Sequence, residues 1–398
     1  MNERVRVLVV DDSALMRKLI PAILSRDPEI EVVGTAMDGS FALRKIEELH
    51  PDVVTLDLEM PRMDGMETLS LIMRRAPMPV ILLSTPPKEG ASFTLKALAL
   101  GAVDFIAKPH DAASGNLDSI AAALIEKIKV AKRAAGRKLP AVSPVETRTN
   151  ARKTVRPASP ARRVIAIGIS TGGPNALEFL LSQLPADFSS AIVIVQHMPE
   201  GFTEMFARRL DDCSQLFVQE ARSGDMLLAG RVLVCPGNRH ITVRRMPRGD
   251  MVVLSDAPPV NGHRPSADVL FHSVAQEFGP LSIGLLMTGM GEDGAEGLGA
   301  IKNAGGFTVA QSEETCVVAG MPRAAILKGY AAKVIPLDNI APFLVGQSGA
   351  DRTASTSQVS EDKLDKPDKP DKNDKNDKSD KNDSLEKSDK RTVSPLRG

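Results

Sequence analysis

The chain has 398 residues, 42% of them hydrophobic, with 50 acidic side chains balancing 50 Lys and Arg. That length carries two or three domains with sizeable cores, and the neutral balance offers no electrostatic footprint for nucleic acid. Three scattered cysteines without a CxxC pair exclude a disulfide framework or a cysteine-rich zinc site and fit a reducing cytoplasm. No apolar run is long enough to span a bilayer, so direct membrane insertion is not expected. The opening MNERVRVLVVDD enters a charged strand directly and does not read as a signal peptide. With no Trp and one Tyr, base stacking is not expected as a main mechanism of this chain.

Residues 4–125 alternate short apolar runs (RVLVV, EVVGTA, DVVTLDL, PVILLS, AVDFIAK) with helical patterns. Strands alternating with helices predict a parallel sheet covered on both faces. Asp11 and Asp12 follow the first strand, Asp57 ends the third, Ser84 the fourth and Lys108 the fifth. In an open parallel sheet these ends share one edge, where such folds place their sites. Crowded carboxylates repel, and a hard divalent cation taking oxygen ligands, Mg²⁺ above all, relieves the repulsion. Each Asp taken singly reads equally well as the cap of the helix that follows it; the whole set at successive strand ends does not. With these residues in place, the stretch resembles a response-regulator receiver domain, a flavodoxin-like (βα)5 fold. The resemblance implies that Asp57 accepts a phosphoryl group from a histidine kinase and that Asp11 and Asp12 are the acidic Mg²⁺ pair. It further implies that Lys108 contacts the phosphoryl group, that Ser84 is the switch hydroxyl, and that the Glu59 backbone carbonyl completes the metal ligands.

Residues 126–162 are basic and rich in Pro and Ser, and are expected to form an exposed linker. A second alternating region, 163–347, contains RVIAIGI, AIVIVQ, RVLVC, ITVRR, MVVLS, LSIGLLMT and FTVA as strands. The pair ITVRR and MVVLS, joined by MPRGD, is expected as a β-hairpin insert in a mostly parallel α/β domain. Residues 348–398 include the repeat DKPDKPDKNDKNDKSDKN, with nothing apolar to offset ordering entropy, and are expected to be disordered.

The stretch GISTGGP at 168–174 admits two readings, a phosphate cradle or a nucleophile turn. A P-loop needs Lys then Ser or Thr after its last glycine, and Pro174-Asn175 stands there. A dinucleotide fingerprint needs a different glycine spacing and an acidic residue ending the next strand, where His197 stands instead. Gly168-Ile169-Ser170-Thr171-Gly172 does fit G-x-S-x-G, a serine on a tight strand-to-helix turn. His197 follows the strand AIVIVQ, and Asp293 follows LSIGLLMT in LLMTGMGEDG. Parallel neighbouring strands would bring Ser170, His197 and Asp293 together as hydroxyl, base and orienting carboxylate. Glu292 is the rival carboxylate. Among the other histidines, His240 reads as structural or at the rim, His263 in its polar loop as a candidate substrate contact and His272 as half-buried.

The succession of receiver domain, linker, GxSTGG, QHMP, HRPSADVLFHS and TGMGxDG resembles the chemotaxis protein-glutamate methylesterases over roughly residues 4–346. The resemblance implies a doubly wound catalytic sheet, a Ser170–His197–Asp293 triad with Thr171 and Met290 lining its site, and no metal there. It implies hydrolysis of glutamyl γ-methyl esters, and deamidation of particular glutamines, on cytoplasmic helices of methylated chemoreceptors. It also implies occlusion of the esterase edge by the unphosphorylated receiver domain. A catalytically idle scaffold that binds a kinase or receptor is the competing reading, and the Asp/Lys tail departs from the pattern.

Overall fold

The computed structural model describes residues 4–84, 90–108, 117–134 and 159–349. The first domain runs β1 (Val5–Val10), α1 (Met16–Leu24), β2 (Ile30–Ala36), α2 (Gly39–Leu49), β3 (Val53–Asp57), α3 (Gly65–Arg75), β4 (Val80–Ser84), α4 (Gly90–Ala99), β5 (Asp104–Ala107) and α5 (Leu117–Ala134). Its five strands pair in parallel in the order β2-β1-β3-β4-β5. Alternate residues of each strand feed two cores. Val7, Val9 and Ile106 pack with Ile20, Leu24, Leu124 and Ile128 on one face. Leu8, Val10 and Leu56 pack with Ile46, Leu69 and Leu95 on the other. The order in which strands join the sheet reverses at β1, so the carboxyl ends of β1 and β3 open a crevice.

The second domain comprises β6 (Val164–Ile169), α6 (Gly173–Ser182), β7 (Ala191–Gln196), α7 (Thr203–Cys213), β8 (Phe217–Glu220), β9 (Arg231–Val234), β10 (His240–Arg244), β11 (Met251–Ser255), α8 (Ala267–Phe278), β12 (Ser282–Leu286), α9 (Ala295–Asn303), β13 (Phe307–Gln311), α10 (Gly320–Leu327), β14 (Lys333–Ile335) and α11 (Leu337–Gly349). Seven strands form one parallel sheet in the order β14-β13-β12-β6-β7-β9-β8. The central strands β6, β7 and β12 are buried along their whole length, hence their unbroken Val, Ile and Leu runs. The expected hairpin insert is present: β10 and β11 pair antiparallel, His240 opposite Ser255, apart from the main sheet.

Three expectations need correction. The helix α5 continues to Ala134, nine residues into the stretch expected as linker. Its Lys and Arg content masks an apolar stripe at Leu124, Ile128 and Ala131, which is buried against the first-domain sheet. At the other end, Ala161 N donates to Leu227 O (3.3 Å) and Arg162 N to Ser189 O (3.1 Å), so these residues already belong to the second domain. The strands β8 and β14 were not expected; both are short, partly exposed sheet edges without an apolar run. His272 is exposed on α8 rather than half-buried. Residues 135–158, and 350–398 with the Asp/Lys repeat, lie outside the described residues.

The two domains meet through side chains. One apolar cluster runs from Leu95 and Phe105 of the first domain to Phe202 and Phe206 of the second, and the rings of Phe105 and Phe202 lie 4.7 Å apart. If residues 126–134 are folded helix, Ile128→Ala removes a fully buried side chain and costs about 2–5 kcal/mol of stability. Urea denaturation measures this, and a linker residue would show almost no change.

Candidate active site

The second-domain site is built where the strand order reverses, at the carboxyl ends of β6, β7 and β12. Ser170 directly follows β6. Its amide donates to Thr288 O (2.9 Å), and its carbonyl accepts from Gly173 N (2.8 Å) and from Gln196 Nε2 (3.0 Å). The turn into α6 passes through Gly172 at φ 79°, a left-handed conformation costly for any residue with a Cβ. Gly289 lies so close that a Cβ there would stand 2.8 Å from Ser170 Cβ. Met290 follows it, half-buried in the loop from β12 to α9.

His197 is the residue after β7, and its amide donates to Ile169 O (3.0 Å), which brings it level with the β6 end. Its Nε2 lies 2.8 Å from Asp293 Oδ2. A carboxylate can only accept, so the neutral ring carries its proton on Nε2 and Nδ1 bears the lone pair. Nδ1 is buried and has no hydrogen-bond partner among the described residues. This ring is turned end for end relative to the chymotrypsin arrangement, where Nδ1 faces the aspartate. The two orientations are chemically equivalent for proton transfer.

Asp293 is fully buried and surrounded by donors. Besides His197 it accepts from Ser266 Oγ (2.6 Å), Ala267 N (2.6 Å) and Asp268 N (3.3 Å). The two amides begin α8, so the carboxylate sits at that helix's N-terminus and takes the place of a local cap. Burial by itself raises the Asp293 pKa; His197, Ser266 and the Ala267 amide outweigh it and hold the carboxyl below its usual value. The rival Glu292 is exposed and paired with Lys328 (3.1 Å), outside the site. His240, read as structural, is buried, with Nε2 3.1 Å from Pro258 O and Nδ1 accepting from Ser266 N (3.3 Å). His263 stacks on His197, centroids 4.0 Å apart and planes 8° from parallel.

Sequence reasoning missed Ser266 and Asp104. The RPS stretch was noted as a family motif, but nothing local shows that its serine bonds a carboxylate 27 residues away. Asp104, at the start of β5 in the first domain, accepts from Thr171 Oγ1 at 2.5 Å, one residue from Ser170. Lys127 Nζ lies 2.6 Å from the same Asp104 oxygen, and Asn175 Nδ2 of α6 donates to Leu98 O of α4 (2.9 Å).

In the first domain the expected residues also converge. Carboxylate oxygens of Asp11, Asp12 and Asp57 lie within 4.8 Å of one another. Lys108 Nζ is 2.6 Å from Asp57 Oδ2 and 3.0 Å from Asp11 Oδ2. Glu59 follows β3 closely, its amide donating to Asp57 Oδ1 (3.1 Å), and Ser84 Oγ is 2.7 Å from Thr94 Oγ1 of α4. Burial pushes the Asp57 carboxyl up to about 6; the Lys108 ammonium opposes this and the Asp11 carboxylate adds to it. Three carboxylates facing one ammonium leave an excess of negative charge, and the all-oxygen donor set fits a divalent cation such as Mg²⁺.

A carboxyl whose folded pKa is raised costs stability as pH rises past its unfolded value, and the cost is complete above about pH 6. Asp57→Asn is therefore expected to raise the thermal midpoint of the metal-free chain at neutral pH by a few degrees. An unchanged or lower midpoint contradicts the strain assigned to ionised Asp57.

Comparison with known proteins places both halves. Residues 165–344 match the profile of the CheB methylesterase family, and residues 7–116 that of the response regulator receiver domain. A protein-glutamate methylesterase/protein-glutamine glutaminase of Koribacter versatilis is 60% identical over 357 residues, covering 88% of this chain and 98% of that one. Relatives of the same description from Pyrococcus horikoshii (44% identical, 87% and 94% covered) and Symbiobacterium thermophilum (47%, 85% and 95%) match over similar spans. The site geometry and these matches agree, and the chain belongs to the CheB methylesterase family, with a receiver domain preceding its catalytic domain.

Proposed function

We infer that the chain is a serine esterase, a protein-glutamate methylesterase that also acts as a protein-glutamine glutaminase, switched on by phosphorylation of Asp57. The observation that carries this reading is the buried Asp293–His197 pair, which leaves Nδ1 without a partner among the described residues, on a residue whose amide bonds Ile169 O, next to Ser170. An idle scaffold has no use for a carboxylate desolvated to orient a base. Family membership favours the enzyme as well.

Ser170 Oγ attacks the γ-ester carbonyl of a receptor glutamyl residue while His197 Nδ1 takes its proton. Asp293 stabilises the imidazolium through Nε2–H. The amides of Thr171 and Gly172 precede the first bond of α6 (Ala176 N to Gly172 O, 3.3 Å), and they are the donors available to the oxyanion. The imidazolium returns the proton to the departing methoxide, and methanol leaves. Water, deprotonated by His197, then attacks the acyl-enzyme and frees glutamate and Ser170. On a glutamine side chain the same steps release ammonia.

In the receiver domain Asp11, Asp12, Asp57 and the Glu59 carbonyl would hold Mg²⁺, which screens the charge of an incoming phosphoryl group. A histidine kinase is the expected donor. The resting contacts explain how the signal travels. Lys108 lies on the same segment as Asp104 and Phe105, and Ser84 is bonded to Thr94 of α4. A phosphoryl group on Asp57 attracts Lys108 and the Ser84 hydroxyl. It thereby loosens the Asp104–Thr171 and Leu98–Asn175 contacts that seat the receiver beside Ser170. Among the described residues no helix is long and apolar enough to cross a membrane, which suits an enzyme that reaches receptors from the cytoplasm.

The test is methanol release from methylated receptor membranes, with and without acetyl phosphate and Mg²⁺. Release should vanish in Ser170→Ala and rise with the phosphodonor in the native chain but not in Asp57→Ala. No release from the native chain under either condition would return the scaffold reading.

A further inference from the structure

Among the described residues the His197 ring makes one hydrogen bond, to Asp293. One bond fixes one atom and leaves the ring free to tilt about it, whereas proton transfer from Ser170 needs Nδ1 aimed. A second constraint is present in His263, whose ring covers His197 face to face at 4.0 Å and 8°. That face is itself rigidly supported. Val260 and His263 exchange two backbone hydrogen bonds (3.0 and 2.9 Å) across a two-residue turn. Asn261 (φ 52°) and Gly262 (φ 78°) give this turn its left-handed pair of residues. Asn261 Nδ2 donates to buried Asp268 (3.0 Å). On the other side, the Arg264 guanidinium is clamped to Asn238 Oδ1 (2.6 Å) and to the carbonyls of Asp256 and Ala257 (3.2 Å each).

We propose that His263 is a positioning residue for the esterase reaction, an aromatic shelf that fixes the plane of His197 and stabilises the positive charge that ring gains when it takes the Ser170 proton. The proposal rests on the esterase reading of the site. A neutral ring stacked on a cationic one is attracted to it, whereas two cations at that spacing repel. The shelf therefore works only while uncharged. The titratable groups facing His263 are His197 and Asp293. Burial, then the neighbouring His197, push its pKa down to about 4, and Asp293 opposes this weakly, so the ring stays neutral where an ordinary histidine would begin to charge. The rings of the two histidines thus divide the work: one titrates during the reaction and the other must not.

The experiment uses the full-length chain with acetyl phosphate and Mg²⁺, and compares His263→Ala, His263→Phe and His263→Arg with the native protein. It reads kcat and KM for methanol release from about pH 5 to about pH 8, the rate of covalent labelling of Ser170 by a fluorophosphonate, and the thermal midpoint of each variant. His263→Ala should lower kcat and the labelling rate about tenfold with KM nearly unchanged, and His263→Phe, which keeps a flat neutral face, should restore both to within a few-fold. His263→Arg should slow the reaction and move the acid limb of the pH profile down by about one unit, because a fixed cation opposes protonation of His197. Native rates in His263→Ala, a Phe variant as slow as Ala, or an unmoved limb in His263→Arg would each overturn the shelf. A native chain that neither labels at Ser170 nor releases methanol overturns the esterase reading and the shelf with it. Labelling that is present and indifferent to residue 263 overturns the shelf alone.

Discussion

A carboxylate without access to water organises the catalytic domain. Asp293 is buried, and ionised it is tolerable only because four donors surround it: an imidazole, a hydroxyl and two helix-start amides. Those donors come from the β7 end and from the start of α8, while the carboxylate itself comes from the β12 loop. Satisfying one charge therefore ties three separate segments together at the edge where Ser170 emerges. The same network sets the His197 tautomer, so the chemistry of the base follows from the solvation of its partner. Remove the carboxylate and the α8 amides lose their cap, the Ser266 hydroxyl its acceptor, and the base its orientation.

The receiver site obeys a related rule with the opposite outcome. There the donors are too few: Asp11 and Asp57 share the Lys108 ammonium, and Asp12 adds a third carboxylate beside them. The residue is a carboxyl pushed up to about 6 rather than held down. One site is electrostatically complete and therefore rigid. The other is short of positive charge and therefore responsive to a cation and to a change in its own charge. A switch and a catalyst, built from the same residue types on the same kind of sheet edge, differ in how fully their carboxylates are satisfied.

Much of this was legible in the chain itself. In both domains the apolar runs marked the central strands, because strands buried on both faces must be apolar throughout. Ser170, His197 and Asp293 were legible as strand-end residues, since parallel topology alone carries such residues to one edge. Asp293 was preferred to Glu292 because Asp-Gly suits a tight turn, and the structure adds the physical reason, since Lys328 holds Glu292 in solvent. What failed did so for physical reasons. The end of α5 is rich in Lys and Arg, and its apolar stripe is readable only once the sheet it covers is known. The edge strands β8 and β14 owe their form to a neighbour rather than to their own pattern. The Asp104–Thr171 and Ser266–Asp293 bonds join residues 67 and 27 positions apart, and no local spacing encodes them.

The contact between Asp104 and Thr171 has a thermodynamic corollary. A bond that keeps the receiver against the esterase edge couples two binding equilibria, and such coupling is reciprocal. If charge on Asp57 favours departure from that edge, then whatever occupies the vacated edge must favour charge on Asp57 by the same factor. A receptor helix lying in the cleft is then an effector of the receiver as well as a substrate. At equilibrium its presence raises the share of chains carrying charge on Asp57, so the signal is strongest where there is still ester to cleave.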